Sequence, residues 1–273
     1  MMFQKEGVFM KPTMLNSIFS EDFNDIEFDK NVIIAIDHTD GQRKQIEDFE
    51  GKKVSVTAEP SCISGREMNH DIFDLCLSWK TNEYIGHENG VLLPFGGTFL
   101  REEDIKIWDK TKTTSIVASD KTLTPGHKLR HEIINHDEKL NNNFIDVYGR
   151  CGKGFGGIEN KIDGLKDYQF SIAIENVSEQ NWFTEKLLDC FLSGVIPVYY
   201  GCPNLTQFEF DPQGIIRIET KLDFDQIKDD INSDLYKKAA DSGAIEHNFK
   251  KAHDYMDLES RVIDEVNKFI KKK

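Results

Sequence analysis

The chain's 273 residues include five cysteines, Cys62, Cys76, Cys151, Cys190 and Cys202, and no C-x-x-C pair. That excludes a zinc ribbon and a thioredoxin-type motif, and an odd count at wide spacing reads as reduced thiols of an intracellular protein. No stretch approaches the roughly 18 apolar residues that a membrane span needs, so no transmembrane segment is expected. The chain does not open on a basic region followed by an apolar run, so no secretory signal is expected. Without one, the sequons Asn176-Val177-Ser178 and Asn204-Leu205-Thr206 carry little meaning. Positive charge is scarce: 34 Lys and Arg stand against 48 Asp and Glu, a net charge of −14. A phosphate backbone needs a basic surface, so a non-specific nucleic-acid binder is excluded. A local basic pocket for one diphosphate is not. The terminal Phe269-Ile270-Lys271-Lys272-Lys273 is the kind of cluster that makes weak contact with an anionic membrane, but a solvated helix end accounts for it better. Internal repeats and low-complexity linkers are absent.

What is present suits a folded protein: 38% hydrophobic residues, 30% charged, and nineteen Phe for a core. Short apolar strands alternate with helical or loop segments, which predicts α/β layers around parallel sheet. Strands are expected at 32–36, 54–57, 72–77 and 90–95, with a turn at Pro94-Phe95-Gly96-Gly97. A second series runs through strands at 115–118, 144–148, 170–174, 195–200 and 215–218, with helices at 128–135 and 184–192. Phe224, Ile227, Ile231 and Leu235 recur at helical spacing, and Leu258, Val262, Val266 and Phe269 form the stripe of a terminal helix. Two domains are expected, 1–112 and 113–273, with the break near 110–113. The terminal helix either stays with the second domain or packs back on the first.

Residues 174–201 carry the most information. They read as a strand end, a polar loop, a helix opening on Thr184-Glu185-Lys186, and a β-branched strand ending in Gly201. That places Asn176, Glu185 and Lys186 around a helix N-terminus, where free N–H groups and a partial positive charge suit a phosphate-bearing ligand.

The same run resembles the signature of glycosyltransferase family ten, the α-1,3/4-fucosyltransferases. The matching parts are Glu175-Asn176, Trp182, Thr184-Glu185-Lys186, Gly194 and Ile196-Pro197-Val198-Tyr199-Tyr200-Gly201. Residues 144–152 are similar to the strand and turn that precede the signature. Ser119-Asp120 followed by Gly126-His127-Lys128-Leu129-Arg130 resembles the family's S-N…R segment. Ala58-Glu59-Pro60-Ser61, Leu77-Ser78-Trp79-Lys80-Thr81 and Leu93-Pro94-Phe95-Gly96 resemble motifs upstream. Ile174 stands where the family commonly has Phe. The resemblance covers about residues 32–201. It implies a GT-B fold, two Rossmann-like domains facing a cleft, with the nucleotide sugar on the C-terminal one. It also implies inverting transfer of fucose from GDP-fucose to a glycan acceptor, with no metal and no cofactor. The membrane anchor and cysteine framework of the animal enzymes are missing, which fits a soluble, cytoplasmic, bacterial or viral form.

Such a transfer must deprotonate an acceptor hydroxyl and neutralise the charge growing on the departing diphosphate. Lys186 lies in the first turn of its helix, where a cation opposes the helix dipole; a bound anion would explain it, and otherwise it is a solvated lysine. Arg130 resembles the family's phosphate-binding arginine, whose fork can make two hydrogen bonds; the plainer reading is a helix-surface arginine. Glu185 suits ribose hydroxyls and equally complements the dipole. Asn176 contacts the donor or satisfies a loop backbone. Trp182 stacks on the donor or walls the site, the plainer reading being a core aromatic. Glu175 reads as structural, since a carboxylate beside a diphosphate would repel it. Glu59, at a strand end before Pro60, is the candidate base or simply a surface acid.

Several patterns mislead. Gly152-x-Gly154-x-x-Gly157 matches a dinucleotide fingerprint, but no helix is expected after it, and a glycine loop that lets backbone approach the donor is preferred. His131 and His136 lie about 140° apart on a helix and cannot share one metal. Asp223-Phe224-Asp225 imitates a metal-binding D-x-D, yet it sits at a helix start where capping explains it better. Two rivals to fucosyl transfer stand: another nucleotide-sugar donor on the same fold, and a catalytically silent sugar-nucleotide or glycan-binding module.

Overall fold

A computed structural model describes residues 10–15, 23, 26–65, 68–139, 144–151 and 156–272. The chain forms two units, Met1–Phe95 together with Leu258–Lys273, and Gly96–Asp257. The division falls upstream of the expected 112/113 boundary because the intervening segment is bonded into the second unit. The Gly96 amide donates to the Phe183 carbonyl at 2.9 Å, the Thr98 hydroxyl to Asp189 at 2.5 Å, and Lys110 Nζ to the Ser193 carbonyl at 2.6 Å.

In the first unit, β1 (Thr13–Leu15), β2 (Val32–Ile36), β3 (Lys52–Val56), β4 (Leu75–Ser78) and β5 (Gly90–Leu92) pair in sequential order, all parallel. The crossovers carry α1 (Arg43–Glu47), α2 (Ser61–Ser64) and α3 (Thr81–Gly86). Every residue of β2 is buried, as a central parallel strand covered on both faces requires. Successive side chains point to opposite faces. Ile33 and Ala35 therefore meet Ile46 and Phe73, while Val32, Ile34 and Ile36 share the other core with Val54, Val56 and Leu77.

The second unit contains β6 (Lys112–Val117), β7 (Asp146–Tyr148), β8 (Tyr168–Ile174), β9 (Ile196–Tyr200) and β10 (Ile216–Arg217). All run parallel, in the order β10-β9-β8-β6-β7. The helices are α4 (Pro125–Lys139), α5 (Glu185–Leu192), α6 (Lys221–Ile227), α7 (Ser233–Asp241) and α8 (Ala244–Ala252). The chain steps from β6 outward to β7, then crosses back to β8 on the other side of β6. Loops leaving β6 and β8 at their C-terminal ends therefore diverge, and the crevice they leave is where open α/β sheets bind ligands. The first unit's sequential order has no such reversal among the described strands.

The chain then returns to the first unit as α9 (Leu258–Lys271). Val262, Val266 and Ile270 are buried on the face of the β2 core, each burial contributing roughly 1.5–3 kcal/mol. Ile270 is thus held in the core, and Phe269 packs beside it under Lys52. Among the described residues no helix is long and apolar enough to cross a membrane.

Expected strands appear with ends shifted by a few residues. One helical reading fails: the stripe from Phe224 to Leu235 is not one helix. After α6 and one 3-10 turn at Lys228–Asp230 the chain restarts, because Asn232 Oδ1 accepts from the amides of Asp234 and Leu235, both at 3.1 Å, and caps α7. The three-residue β1 and helix α8 were not foreseen.

Candidate active site

Two helices aim their N-termini at the crevice between β6 and β8, and each start follows from local sequence. Helix α4 opens Thr124-Pro125-Gly126-His127. Proline at the first helical position loses no bond, since that N–H has no partner in the helix. The Thr124 hydroxyl oxygen accepts the His127 amide at 3.3 Å, and His127 Nδ1 accepts the Thr124 amide at 3.2 Å. This is a reciprocal capping box with imidazole in the place of the usual Glu or Gln. Gly126 lets the helix meet the loop after β8: a Cβ there would stand 1.7 Å from the Glu175 carbonyl oxygen.

Helix α5 opens on Thr184, whose hydroxyl oxygen accepts the Lys186 amide at 3.3 Å. Glu175 is fully buried beneath it. It accepts the Thr184 amide at 2.8 Å and the hydroxyl at 2.8 Å, with Lys186 Nζ at 3.5 Å. Glu175 is therefore the structural acid its position suggested.

Between these helix starts lies a cavity of about 560 Å³. Loops after β6 (Ala118, Ser119), β7 (Gly149) and β8 (Asn176) contribute to its wall. Gly149 has φ +99°, and a Cβ there would lie 2.3 Å from the Ala118 carbonyl oxygen, so only glycine lets these two loops close up. The described lining carries five cations, Lys121, Arg130, Arg150, Lys161 and Lys186, against two carboxylates, Glu159 and Glu185. In a chain of net charge −14, this is a local reversal of sign.

The cations are not equivalent. Lys161, in a 3-10 turn at Lys161–Gly164, sits 2.8 Å from the fully buried Asp189 and donates to the Glu185 carbonyl at 3.2 Å. Burial works against its charge, but Asp189 and Glu185 outweigh burial and hold the ammonium above its ordinary range. Arg130 is 6% exposed. Its Nη2 donates to the Ile174 carbonyl at 2.7 Å and to Asn176 Oδ1 at 3.3 Å. Both partners are neutral, and no described carboxylate lies within ion-pair distance. Burial therefore pulls the guanidinium below its ordinary value, although the fields of Glu175 and Glu185 oppose this. Lys186 Nζ reaches Glu185 Oε1 at 2.9 Å. Burial would raise the Glu185 carboxyl, but Lys186 and Lys161 hold it at about 2, so it is ionised and only accepts hydrogen bonds.

Arg130, Asn176, Glu185 and Lys186 thus line one cavity. Trp182 does not: it is 2% exposed and absent from the wall, so the core reading replaces the donor-stacking one. The loop turns it inward beside Phe183, which anchors an aromatic cluster with Phe208, Phe210 and Tyr255. Glu59 belongs to the first unit, half-buried just past β3, where Asp37 accepts the amides of Ala58 at 2.9 Å and Glu59 at 3.1 Å. Lys161 and His127 were missed as site residues. For His127 a signal existed, since it lies three residues before Arg130 on one helix face. Lys161 offered none, being placed by a turn too short to leave a period.

The misleading patterns resolve as caps and surface pairs. Asp223 caps α6 by accepting the Thr220 amide at 2.7 Å, and Asp225 pairs with Lys221 and, at 3.0 Å, with His136. His131 instead meets the Lys121 carbonyl, at 3.1 Å. Of the glycine loop, Gly152 and Gly154 lie outside the described residues, and Gly157 lines the cavity.

Residues 107–233 match the family model described as Glycosyltransferase family 10 (fucosyltransferase) C-term. A putative fucosyltransferase-like protein of Arabidopsis thaliana is 35% identical over 83 residues, 30% of this chain and 16% of that protein. The alpha-(1,3)-fucosyltransferase FucT of Helicobacter pylori is 31% identical over 72 residues, 26% of this chain and 15% of that protein. The matches therefore span about a sixth of these relatives' length. Among solved structures, an alpha1,3-fucosyltransferase superposes with a TM-score of 0.59 at 15% identity, covering 99% of this chain and 92% of that one. The same enzyme type solved with GDP gives 0.60 at 13% identity, covering 96% and 91%. At such identities the likeness shows the fold, which is that of the GT-B glycosyltransferases. The second unit thus matches the glycosyltransferase family 10 (fucosyltransferase) model over most of its length, on a fold shared with the GT-B glycosyltransferases.

Proposed function

We propose that the cavity holds the nucleoside diphosphate of GDP-fucose and that the protein transfers the fucose, with inversion, to a hydroxyl of a glycan acceptor. The observation that carries this reading is the concentration of cations, Arg130 and Lys186 above all, at the switch point of a parallel sheet in an acidic chain. Its size suits a nucleotide sugar. Arg130 and Lys186 hold the phosphate oxygens, Glu185 accepts from ribose hydroxyls, and Asn176 positions Arg130. As the acceptor oxygen bonds to the sugar's anomeric carbon, the bond from that carbon to the diphosphate breaks. The negative charge left on GDP is met by side-chain cations and two helix N-termini, so the reaction needs no metal ion. Glu59 takes the acceptor's proton, an assignment carried by its resemblance to the family's base. None of the five cysteines forms a disulfide, which suits a reducing compartment, and we place the protein in the cytoplasm.

The test is a thermal-shift panel with GDP, GDP-fucose, GDP-mannose, UDP-sugars and NAD, each with and without a chelator. A ligand that binds only the folded state raises its melting temperature. Stabilisation by GDP and GDP-fucose regardless of chelator is expected. Stabilisation by UDP-sugars or NAD alone would sink the donor assignment. Glu59→Gln should retain the GDP-fucose shift and lose fucose transfer by about 10²–10⁴-fold. Unchanged transfer would remove Glu59 from the base role.

A further inference from the structure

His127 has one ring nitrogen committed to the fold and one left over. Nδ1 accepts the Thr124 amide at 3.2 Å, with the Thr124 hydroxyl at 2.8 Å. A nitrogen that accepts a backbone N–H carries no proton, so the neutral ring holds its hydrogen on Nε2. The ring is 3% exposed and lines the cavity, yet Nε2 bonds to no described protein group. His127 is part of the wall of the cavity, so its free N–H is left for water or for an acceptor that a ligand brings. Burial first, then the charges of Arg130, Lys121 and Lys186, hold the imidazole down at about 4, so it stays neutral at physiological pH. Those same charges show that the surroundings are cationic, so the acceptor they favour is an anion. Arg130 lies three residues on, along the same face of α4.

We propose that His127 Nε2–H donates a hydrogen bond to a phosphate oxygen of the bound nucleoside diphosphate, beside Arg130. The proposal rests on the donor-site reading above and adds a neutral, directional donor to its cations. Its logic is a division of labour within one side chain. The capping box holds the ring through Nδ1 and thereby points Nε2, without a rotamer to lose, at the phosphate.

Gln is one of the two residues, with Glu, that normally fill this capping position. In His127→Gln the amide oxygen can take the Thr124 N–H while the NH₂ group replaces Nε2–H. His127→Leu keeps bulk and loses both functions. GDP is titrated calorimetrically into the unaltered protein and both variants at pH 7.5, and melting temperatures are read without ligand. His127→Gln should bind GDP within about threefold of the unaltered protein. His127→Leu should bind about 10- to 100-fold more weakly, the effect of a hydrogen bond to a charged acceptor. If the Leu variant melts lower yet binds GDP equally well, His127 is only a cap and the proposal fails while the donor site stands. Equal losses in Gln and Leu would also overturn it, because ring packing rather than the donor would then matter. No GDP binding by the unaltered protein would overturn the donor-site reading, and this proposal with it.

Discussion

Lys161→Met is expected to destabilise the second unit by about 3–5 kcal/mol, because it strands a carboxylate that has no access to water. Asp189 is fully buried on α5, 2.8 Å from Lys161 Nζ, with the Thr98 hydroxyl at 2.5 Å and the Phe99 amide at 3.2 Å. The two neutral donors alone cannot hold a buried charge. Burial pushes the Asp189 carboxyl up, and Lys161 is the largest influence pushing it back. Without the lysine, Asp189 must ionise unpaired or bind a proton, and either costs free energy at neutral pH. Because Lys161 is raised above its ordinary value of about 10.5, its contribution is fully present at physiological pH and fades only as pH climbs past that value. The deficit of Lys161→Met should shrink in acid, where Asp189 is protonated in both proteins. Adding Asp189→Asn should recover much of it. Urea melts of the two single variants and the double variant check this. A Lys161→Met protein within 1 kcal/mol of the original would show that the pair does not hold the strap 96–100 to α5.

How much of this was readable in advance depended on whether the information was local. The capped start at Thr184-Glu185-Lys186 and the strands on either side of α5 are written in contiguous residues, and the structure keeps them. Arg130 and Asn176 lie 46 residues apart, and nothing in their spacing says they bond. Their link came from family resemblance, while the fold supplies it by laying α4 against the end of β8. Trp182 was misread because an aromatic in a polar loop looks the same whether it turns toward ligand or core. Lys161 and its partner Asp189 were invisible for the reason that the pair joins a single 3-10 turn to a helix 28 positions on. The domain boundary moved because residues 96–110 have no periodic pattern and owe their place to bonds with Phe183, Asp189 and Ser193. Residue type and spacing carry the elements; which charges face each other is a property of strand order.

Arg130→Met is expected to behave in the opposite sense to Lys161→Met. Both cations line the same cavity, but of the two only Lys161 has its counter-charge within the protein. The guanidinium of Arg130 is desolvated and bonded to a carbonyl and an amide, so burial depresses it where Lys161 is raised. Removing a poorly compensated buried charge relieves its desolvation penalty, which offsets the two hydrogen bonds lost. The ligand-free variant should therefore stay within about 1.5 kcal/mol of the original stability. GDP binding should collapse, since a diphosphate entering the cavity would lose a charge-assisted partner worth about 2–5 kcal/mol, roughly 30- to several-thousand-fold in affinity. Arg130→Lys should fall between, keeping the charge and losing the planar fork. Urea unfolding of the ligand-free proteins, paired with GDP titration, separates the two effects. A ligand-free loss of 3 kcal/mol or more would make Arg130 a structural residue, and undiminished GDP affinity would place the phosphates elsewhere. The expected pattern, stability kept and binding lost, is that of a site that holds its charge uncompensated until the anion arrives.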